Sequence, residues 1–126
     1  MLRDKPVVAT IAVKDIEAAK NFYENILGLT RANGDDPGGI MYKSGDSNLF
    51  LYKSEYAGTN KATAASWGVG EEIDSITKEL EAKGVRFETY DMPGATLEGV
   101  IHIMGDLKAA WFKDPDGNIL NLVNRM

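Results

Sequence analysis

The chain has 126 residues and a formal net charge of −5, from 14 basic and 19 acidic side chains. A hydrophobic content of 44% is ordinary for a globular domain and excludes a wholly disordered chain. The acidic balance argues against general nucleic-acid binding, and no apolar run reaches the ~20 residues of a membrane-spanning helix. The absence of cysteine excludes disulfides and thiolate metal sites. Because the N-terminus lacks the apolar stretch of a signal peptide, we expect a cytoplasmic protein with neither a nucleic-acid nor a membrane partner.

The first half of the sequence predicts a strand, a helix and a β-hairpin. A β-branched run over Pro6–Val13 predicts the strand, and apolar residues at helical spacing continue to Ile26. Asp15 is a suitable N-cap for this helix and Gly28 a suitable stop. Turn-forming residues fill 33–39. Two short strands are then expected around a tight turn: Ile40–Lys43 and Asn48–Lys53.

The second half predicts the same order of elements after a linker. A strand is expected over 63–69, a helix from about Glu71, and an alternating strand over 85–90. Residues 91–98 are expected to form a loop. The sequence Asp-Pro-Asp-Gly over 114–117 predicts the turn of a closing hairpin, because proline presets φ and glycine accepts positive φ. The strands of that hairpin are expected at Lys108–Lys113 and Asn118–Val123.

An internal repeat agrees with this order. The segments that begin at Tyr42 and Phe112 align, and duplication explains their identities better than chance because the identities coincide with the element order. The identical pairs are Lys43 and Lys113, Asp46 and Asp116, and Asn48 and Asn118. We therefore expect one α+β domain over 1–126, built from two βαβββ modules in tandem at about 5–55 and 62–124.

Three stretches resemble the vicinal oxygen chelate superfamily, which groups glyoxalase I, extradiol dioxygenases and bleomycin resistance proteins. Residues 13–23 with Leu27–Leu29 resemble its first helix, 73–85 its second helix, and 111–118 its closing hairpin. The resemblance covers nearly the whole chain. It implies curled mixed sheets around an open cavity, usually completed in a homodimer. Since exposed sheet edges associate unless they are covered, we expect a homodimer here.

Metal-dependent members of that superfamily hold a divalent ion with His, Gln or Glu on the first and last strands of each module. The resemblance assigns these positions to four residues: Val8, Leu51, Ala65 and Asn121. Three of these side chains have no donor atom, and a neutral amide is a weak ligand for a transition metal. The single histidine, His102, also excludes a site built from several histidines of one subunit. We therefore expect no metal and no other cofactor.

Strand alternation selects the residues that line the cavity. If Val8 faces it, Thr10 faces it too, and the same rule with the predicted hairpin and the repeat selects the others. The resulting wall is mostly apolar with a few polar and aromatic groups, which is typical of a small-molecule pocket. The expected ligand-binding residues are Thr10, Tyr42, Leu51, Trp67, Phe112 and Asn121.

These residues favour metal-independent binding of a small, largely apolar or aromatic molecule. The alternative is an enzyme, a lyase, isomerase or dioxygenase relative of glyoxalase I, that uses a metal or uses His102 and Glu98 as acid and base. A structural role for His102, and a regulatory domain without a ligand, also stay open. The sequence contains no nucleophile elbow, dinucleotide fingerprint or phosphate-binding loop.

Overall fold

The computed structural model describes residues 1–32 and 38–125, so most of the turn expected at 33–39 lies outside the described residues. The strands are β1 (Ala9–Val13), β2 (Thr30–Arg31), β3 (Ile40–Ser44), β4 (Ser47–Lys53), β5 (Thr63–Gly68), β6 (Phe87–Glu88), β7 (Thr96–Glu98), β8 (Ile101–Met104), β9 (Leu107–Lys113) and β10 (Ile119–Val123). The α-helices are α1 (Ile16–Lys20), which continues as a π-helix over Asn21–Ile26, and α2 (Ile73–Ala82), which follows a 3-10 turn at Gly70–Glu72. Among these helices, none has the length and apolar character needed to span a membrane.

Within the described residues the strands form two sheets. The four-stranded sheet has the order β1-β4-β3-β2, and the six-stranded sheet has the order β5-β10-β9-β8-β7 with β6 paired to β9. In each sheet the first strand of the module runs parallel to the last, and the remaining pairs are antiparallel. The α+β fold of tandem βαβββ modules is thereby confirmed.

Local signals fix the ends of the first helix where the sequence predicts them. The Asp15 carboxylate accepts hydrogen bonds from the backbone N–H groups of Glu17 and Ala18 at 3.0 and 3.1 Å, which satisfies two of the free donors of the first turn. After the π-helical segment, Gly28 adopts a φ of 79°, a conformation that strains other residues. Both boundary predictions are confirmed.

The inner faces of the two sheets and both helices share one hydrophobic core. Alternation on β1 turns Ile11 and Val13 toward the helices, and parallel pairing brings Leu51 beside Ile11. Burial of one such side chain contributes about 1.5–3 kcal/mol. Each helix contributes one apolar face to this core. Three of the helix residues are buried within it and three pack against it: Phe22, Ile73 and Leu80, then Ile16, Ile26 and Ile76.

The closing turn of the second half is tied to the first half of the chain. Oδ1 of Asp114 accepts the backbone N–H groups of Asp116 and Asn118, at 3.0 and 2.8 Å. The side-chain amide of Asn118 donates to the Ala12 carbonyl at 2.7 Å. The Tyr23 hydroxyl donates to Asp114 Oδ2 at 2.8 Å. Burial, and then the nearby Asp114 carboxylate, raise the pKa of Tyr23 far above its usual range. The predicted turn is therefore also a joint between the two halves.

Three element predictions are wrong in detail. The first strand begins at Ala9 rather than at Pro6, and the alternating segment 85–90 pairs only over Phe87–Glu88. Strand β6 pairs only with the second half of β9, because β8 already pairs with the first half. The expected loop at 91–98 ends in strand β7, which forms a short hairpin with β8.

Candidate functional site

The outer face of the six-stranded sheet, which turns away from the core, carries the candidate site. In the pairing of β9 with β10, Phe112 lies opposite Leu120, and both are buried in the core. The alternate residues must therefore point outward. Two such pairs follow along the ladder: Trp111 with Asn121, and Lys113 with Ile119.

A cavity of about 760 Å³ opens on this outer face. Its size falls within the roughly 300–1,000 Å³ range of small-molecule sites. Among the described residues, the larger apolar and aromatic side chains of its wall are Tyr90, Met92, Trp111 and Ile119, and the charged ones are Lys61, Glu88 and Lys113. The wall thus combines an aromatic surface with a small number of charges.

The indole of Trp111 is held in one orientation. Its Nε1 donates to Thr63 Oγ1 at 3.1 Å. The rings of Tyr90 and His102 meet it edge to face, with centroid distances of 5.5 and 5.0 Å and interplanar angles of 80° and 86°. Such ring pairs contribute about 0.5–1.5 kcal/mol each beyond simple burial. The ring is therefore positioned before any ligand arrives.

An ion pair lies beside this indole. Lys113 Nζ is 3.1 Å from Glu88 Oε1, and Glu88 is the cross-strand partner of Trp111. The two side chains keep 48% and 36% of their exposure. A pair this exposed contributes only about 0–1 kcal/mol to stability, so its charges stay available to a ligand.

Two buried polar atoms on the same sheet have no hydrogen-bond partner among the described residues: His102 Nδ1 and Asn121 Oδ1. His102 is 0% exposed, and its Nε2 accepts the backbone N–H of Tyr90 at 2.9 Å. A neutral imidazole that accepts at Nε2 carries its proton on Nδ1, so Nδ1 is a donor. An unsatisfied buried group costs about 1–3 kcal/mol, which a buried water molecule would relieve, since neither residue lines the cavity.

The six residues expected to bind a ligand do not form one wall. Asn121 lies on the outer face of the six-stranded sheet. Thr10 is exposed on the outer face of the other sheet, beside Phe50, where its hydroxyl donates to the Val8 carbonyl at 3.1 Å. The remaining four pack toward the core: Tyr42, Leu51, Trp67 and Phe112.

Leu51, Phe112 and Tyr42 are 0% exposed, and their placement on an open wall is wrong. Leu51 pairs with the core residue Ile11, so the predicted alternation on β4 was displaced by one residue. Phe112 faces the core because five residues, 114–118, separate the last pair of the closing hairpin where a four-residue turn was expected. A shift of one residue moves every side chain of a strand to the other face.

Tyr42 instead belongs to a polar cluster at the edge of the core. Its hydroxyl donates to Glu24 Oε2 at 2.6 Å, and Arg31 Nε donates to the same oxygen at 2.9 Å. Burial, followed by the Glu24 hydrogen bond, raises the pKa of Tyr42 well above its usual range. Tyr42 and Phe112, which the repeat aligns, are both fully buried in the core.

Trp67 connects the two sheets at their junction. It pairs with Leu122, lies at 6.4 Å and 24° from the Phe112 ring, and donates from Nε1 to Ser44 Oγ at 2.8 Å. A register irregularity between Ile119 and Leu120 sets the face that β5 turns to the core. Trp67 does line a second cavity, of about 390 Å³, at this junction.

The residues at the superfamily's metal positions do not fit a divalent ion. Leu51 faces the core, and so does Ala65, which pairs with Leu120. Their outward neighbours Phe50 and Ser66 offer at most a neutral hydroxyl. Across residues 1–32 and 38–125, no group of three His, Asp or Glu side chains is placed to hold a metal ion.

The proposed acid–base pair of His102 and Glu98 is also wrong in its geometry. In the β7–β8 hairpin, His102 lies opposite Leu97, whereas Glu98 lies opposite Ile101. Adjacent positions on a strand point to opposite faces, so the two side chains diverge. His102 is fully buried and Glu98 is exposed. They cannot act together on one substrate.

Several residues that line the cavity were not predicted from the sequence: Tyr90, Trp111 and the Lys113–Glu88 pair. The available signal was Asn118. Counting Asn118 as part of the loop rather than of the strand would have placed Trp111 opposite Asn121 and on the outer face. Tyr90 follows the short strand β6, and no sequence pattern indicated that its ring turns toward Trp111.

The family model of the glyoxalase/bleomycin resistance protein/dioxygenase superfamily matches residues 5–122. The chain therefore belongs to this superfamily, and the resemblance to vicinal oxygen chelate proteins is confirmed. No curated protein shows a significant match to the chain.

Several solved structures share the fold. A glyoxalase family protein from Enterococcus faecalis is 21% identical, with coverage of 98% of this chain and 99% of that one and a TM-score of 0.72. A glyoxalase/bleomycin resistance protein/dioxygenase from Alicyclobacillus acidocaldarius is 18% identical, with coverages of 98% and 93% and a TM-score of 0.70. The fosfomycin resistance protein FosX from Listeria monocytogenes is 14% identical, with coverages of 100% and 94% and a TM-score of 0.67. Identities this low show a common fold alone.

Proposed function

We propose that this protein binds a small, largely apolar or aromatic molecule, without a metal ion, on the outer face of its six-stranded sheet. The observation that carries the proposal is the cavity of about 760 Å³ whose wall includes Trp111 and Tyr90. Aromatic side chains give a ligand large contact area with few rotatable bonds to freeze. The contacts of Trp111 with Thr63 and His102 hold its ring in place, which reduces the entropy that binding must overcome.

The donor set supports binding without a metal. The superfamily includes resistance proteins as well as enzymes, and a shared fold does not choose between them. The side chains at the superfamily's metal positions are apolar or neutral, and His102 and Glu98 point to opposite faces.

We propose a cytoplasmic homodimer as the working form. The outer face of the four-stranded sheet carries Thr10 and Tyr52, which are exposed in the single chain. Strands β2 and β7 are the last strands of their sheets within the described residues. Edges and faces of this kind favour association with a second copy. Light scattering at micromolar concentration tests this, and a mass near the 13.8 kDa of one chain would contradict it.

The test of binding is a thermal-shift screen with planar aromatic and amphipathic compounds. A ligand at 100 times its Kd stabilises the folded state by about 2.7 kcal/mol, so the melting temperature should rise with ligand concentration. Trp111→Ala should abolish the rise. Tyr56→Ala is the matched control, because Tyr56 is 71% exposed and lies outside the cavity wall. If no compound shifts the wild-type protein, or if both variants respond like the wild type, the proposal fails.

A further inference from the structure

We infer that the ligand of this cavity is a planar aromatic anion, with an aromatic carboxylate as its simplest form. The inference rests on the proposed function and adds the charge of the ligand. It follows from where the cavity places its ammonium groups relative to its aromatic rings.

The cavity has the opposite charge to the rest of the chain. Among the described residues, its wall contains two ammonium groups, of Lys61 and Lys113, and one carboxylate, of Glu88. The described wall residues therefore carry one net positive charge, whereas the whole chain carries a formal net charge of −5. A positive site on an acidic protein attracts anions locally while the remaining surface repels them, which favours selective binding at this position.

Lys113 is positioned to contact an acidic group on a ring that lies against Trp111. The two residues are separated by one position on β9, so they share a face at a spacing of about 6–7 Å. The Glu88 carboxylate, 3.1 Å from Lys113 Nζ, orients the ammonium group. Because an ammonium group has three N–H donors, those not used by Glu88 remain for a ligand. Lys61 is exposed and lines the same cavity, where it adds a second cation.

The aromatic part of the ligand follows from the two rings. The planes of Tyr90 and Trp111 meet at 80°, which makes a corner of two nearly perpendicular aromatic surfaces. A flat ring in this corner contacts one aromatic side chain by its face and the other by its edge, the two geometries that aromatic pairs prefer. A cationic ligand would also be attracted by the rings, but the two lysines oppose it.

The test compares three naphthalene compounds of the same shape: 2-naphthoate, 2-naphthamide and 2-naphthylmethylammonium. Calorimetric titration of the full chain should give an affinity for the carboxylate at least about fivefold above that for the amide, the effect of one charge pair at an open site. Raising the ionic strength from about 0.01 to about 0.15 M should reduce this advantage, since surface charges are then screened. The ammonium compound should bind more weakly than the amide.

Lysine variants assign the effect to the cavity. Lys113→Gln and Lys61→Gln should each reduce carboxylate affinity and leave amide affinity unchanged. Lys83→Gln is the matched control, because Lys83 is similarly exposed and pairs with Glu79 on α2, away from the cavity wall. Unfolding midpoints confirm that each variant is folded.

Equal affinity for carboxylate and amide would overturn the inference while leaving aromatic binding, and so the proposed function, intact. Carboxylate affinity that is unchanged in both Lys113→Gln and Lys61→Gln would overturn it as well. Binding of the ammonium compound in preference to the other two would show that the cavity prefers cations, which contradicts the inference. If none of the three compounds binds, the inference fails, and the wider screen with Trp111→Ala decides separately whether the proposed function fails with it.

Discussion

The hydroxyl of Tyr23 donates a 2.8 Å hydrogen bond to the carboxylate of Asp114, a residue 91 positions later in the chain. Tyr23 lies on the helix of the first half and Asp114 begins the closing turn of the second, and both are buried. The same carboxylate organises its own turn through the backbone N–H of Asn118. One side-chain contact therefore connects the helix of one module with the last hairpin of the other.

Tyr23→Phe should reduce the free energy of unfolding by about 1.5–3 kcal/mol. The substitution removes a hydrogen bond to a charged group and leaves the carboxylate buried with one partner fewer. Urea unfolding monitored by circular dichroism measures the change. Tyr56→Phe, at an exposed position, should stay within about 0.5 kcal/mol of the wild type. Equal stabilities of the two variants would show that the Tyr23 contact does not join the modules energetically.

The cluster of Glu24, Tyr42 and Arg31 should make the free energy of unfolding decrease at acidic pH. The Tyr42 hydrogen bond, assisted by Arg31, lowers the pKa of Glu24 below its ordinary value of 4.5. Because the folded-state pKa is the lower one, this stabilisation is fully present above the ordinary value and is lost as the pH falls through the folded pKa. Tyr42→Phe should lower the free energy of unfolding at neutral pH by about 1.5–3 kcal/mol and weaken this acid dependence. Unfolding curves recorded between neutral pH and pH values below 4.5 measure this dependence. If the free energy of unfolding of Tyr42→Phe fell with decreasing pH as steeply as that of the wild type, the prediction would be contradicted.

Gly58→Ala should destabilise the segment that borders the cavity. Gly58 has a φ of 73°, and an added Cβ would clash with the backbone carbonyl of Asp116. Its N–H also donates to Asn118 Oδ1 at 3.2 Å. Gly45→Ala is the control, because Gly45 has a φ of 57° but open space around the added atom, and it should cost about 1 kcal/mol. The unfolding free energies of the two variants should differ clearly, with Gly58→Ala the less stable; similar losses would rule out the clash.

His102→Ala should lower stability by about 2–4 kcal/mol, because the imidazole is fully buried against Trp111 and accepts the backbone N–H of Tyr90. Glu98→Ala, at an exposed position on the opposite face of the hairpin, should change stability by no more than about 0.5 kcal/mol. Denaturant titration compares the two. A stable His102→Ala protein would argue against this structural role.

The fold was predictable because its signals are local. Asp15 caps the first helix in the turn where it stands, and the proline and glycine of residues 114–117 specify a hairpin without reference to the rest of the chain. The repeat then indicated two halves with the same order of elements, and the resemblance to the vicinal oxygen chelate superfamily implied how their sheets are arranged. Nothing in these signals required knowledge of distant contacts.

The site was not predictable in the same way, because it depends on register. One additional loop residue, Asn118, moved Phe112 into the core and Trp111 to the outer face. In the same way, the register irregularity between Ile119 and Leu120 determines which face of β5 turns toward the core. Alternation correctly divides the residues of a strand between two faces. It cannot identify which face is buried when a loop length or a bulge differs by one residue.

The most direct test of small-molecule binding at Trp111 is the indole N–H signal of that residue in a two-dimensional ¹H–¹⁵N NMR spectrum during titration with 2-naphthoate. The chain contains two tryptophans, and Trp67→Phe assigns their signals. Trp67 is the internal reference, because its Nε1 is bonded to Ser44 at the junction of the sheets. We predict that the Trp111 signal shifts and saturates while the Trp67 signal stays in place. A saturating shift of Trp67 alone, or no shift of either signal with any aromatic compound that raises the melting temperature, would contradict the assignment of the site.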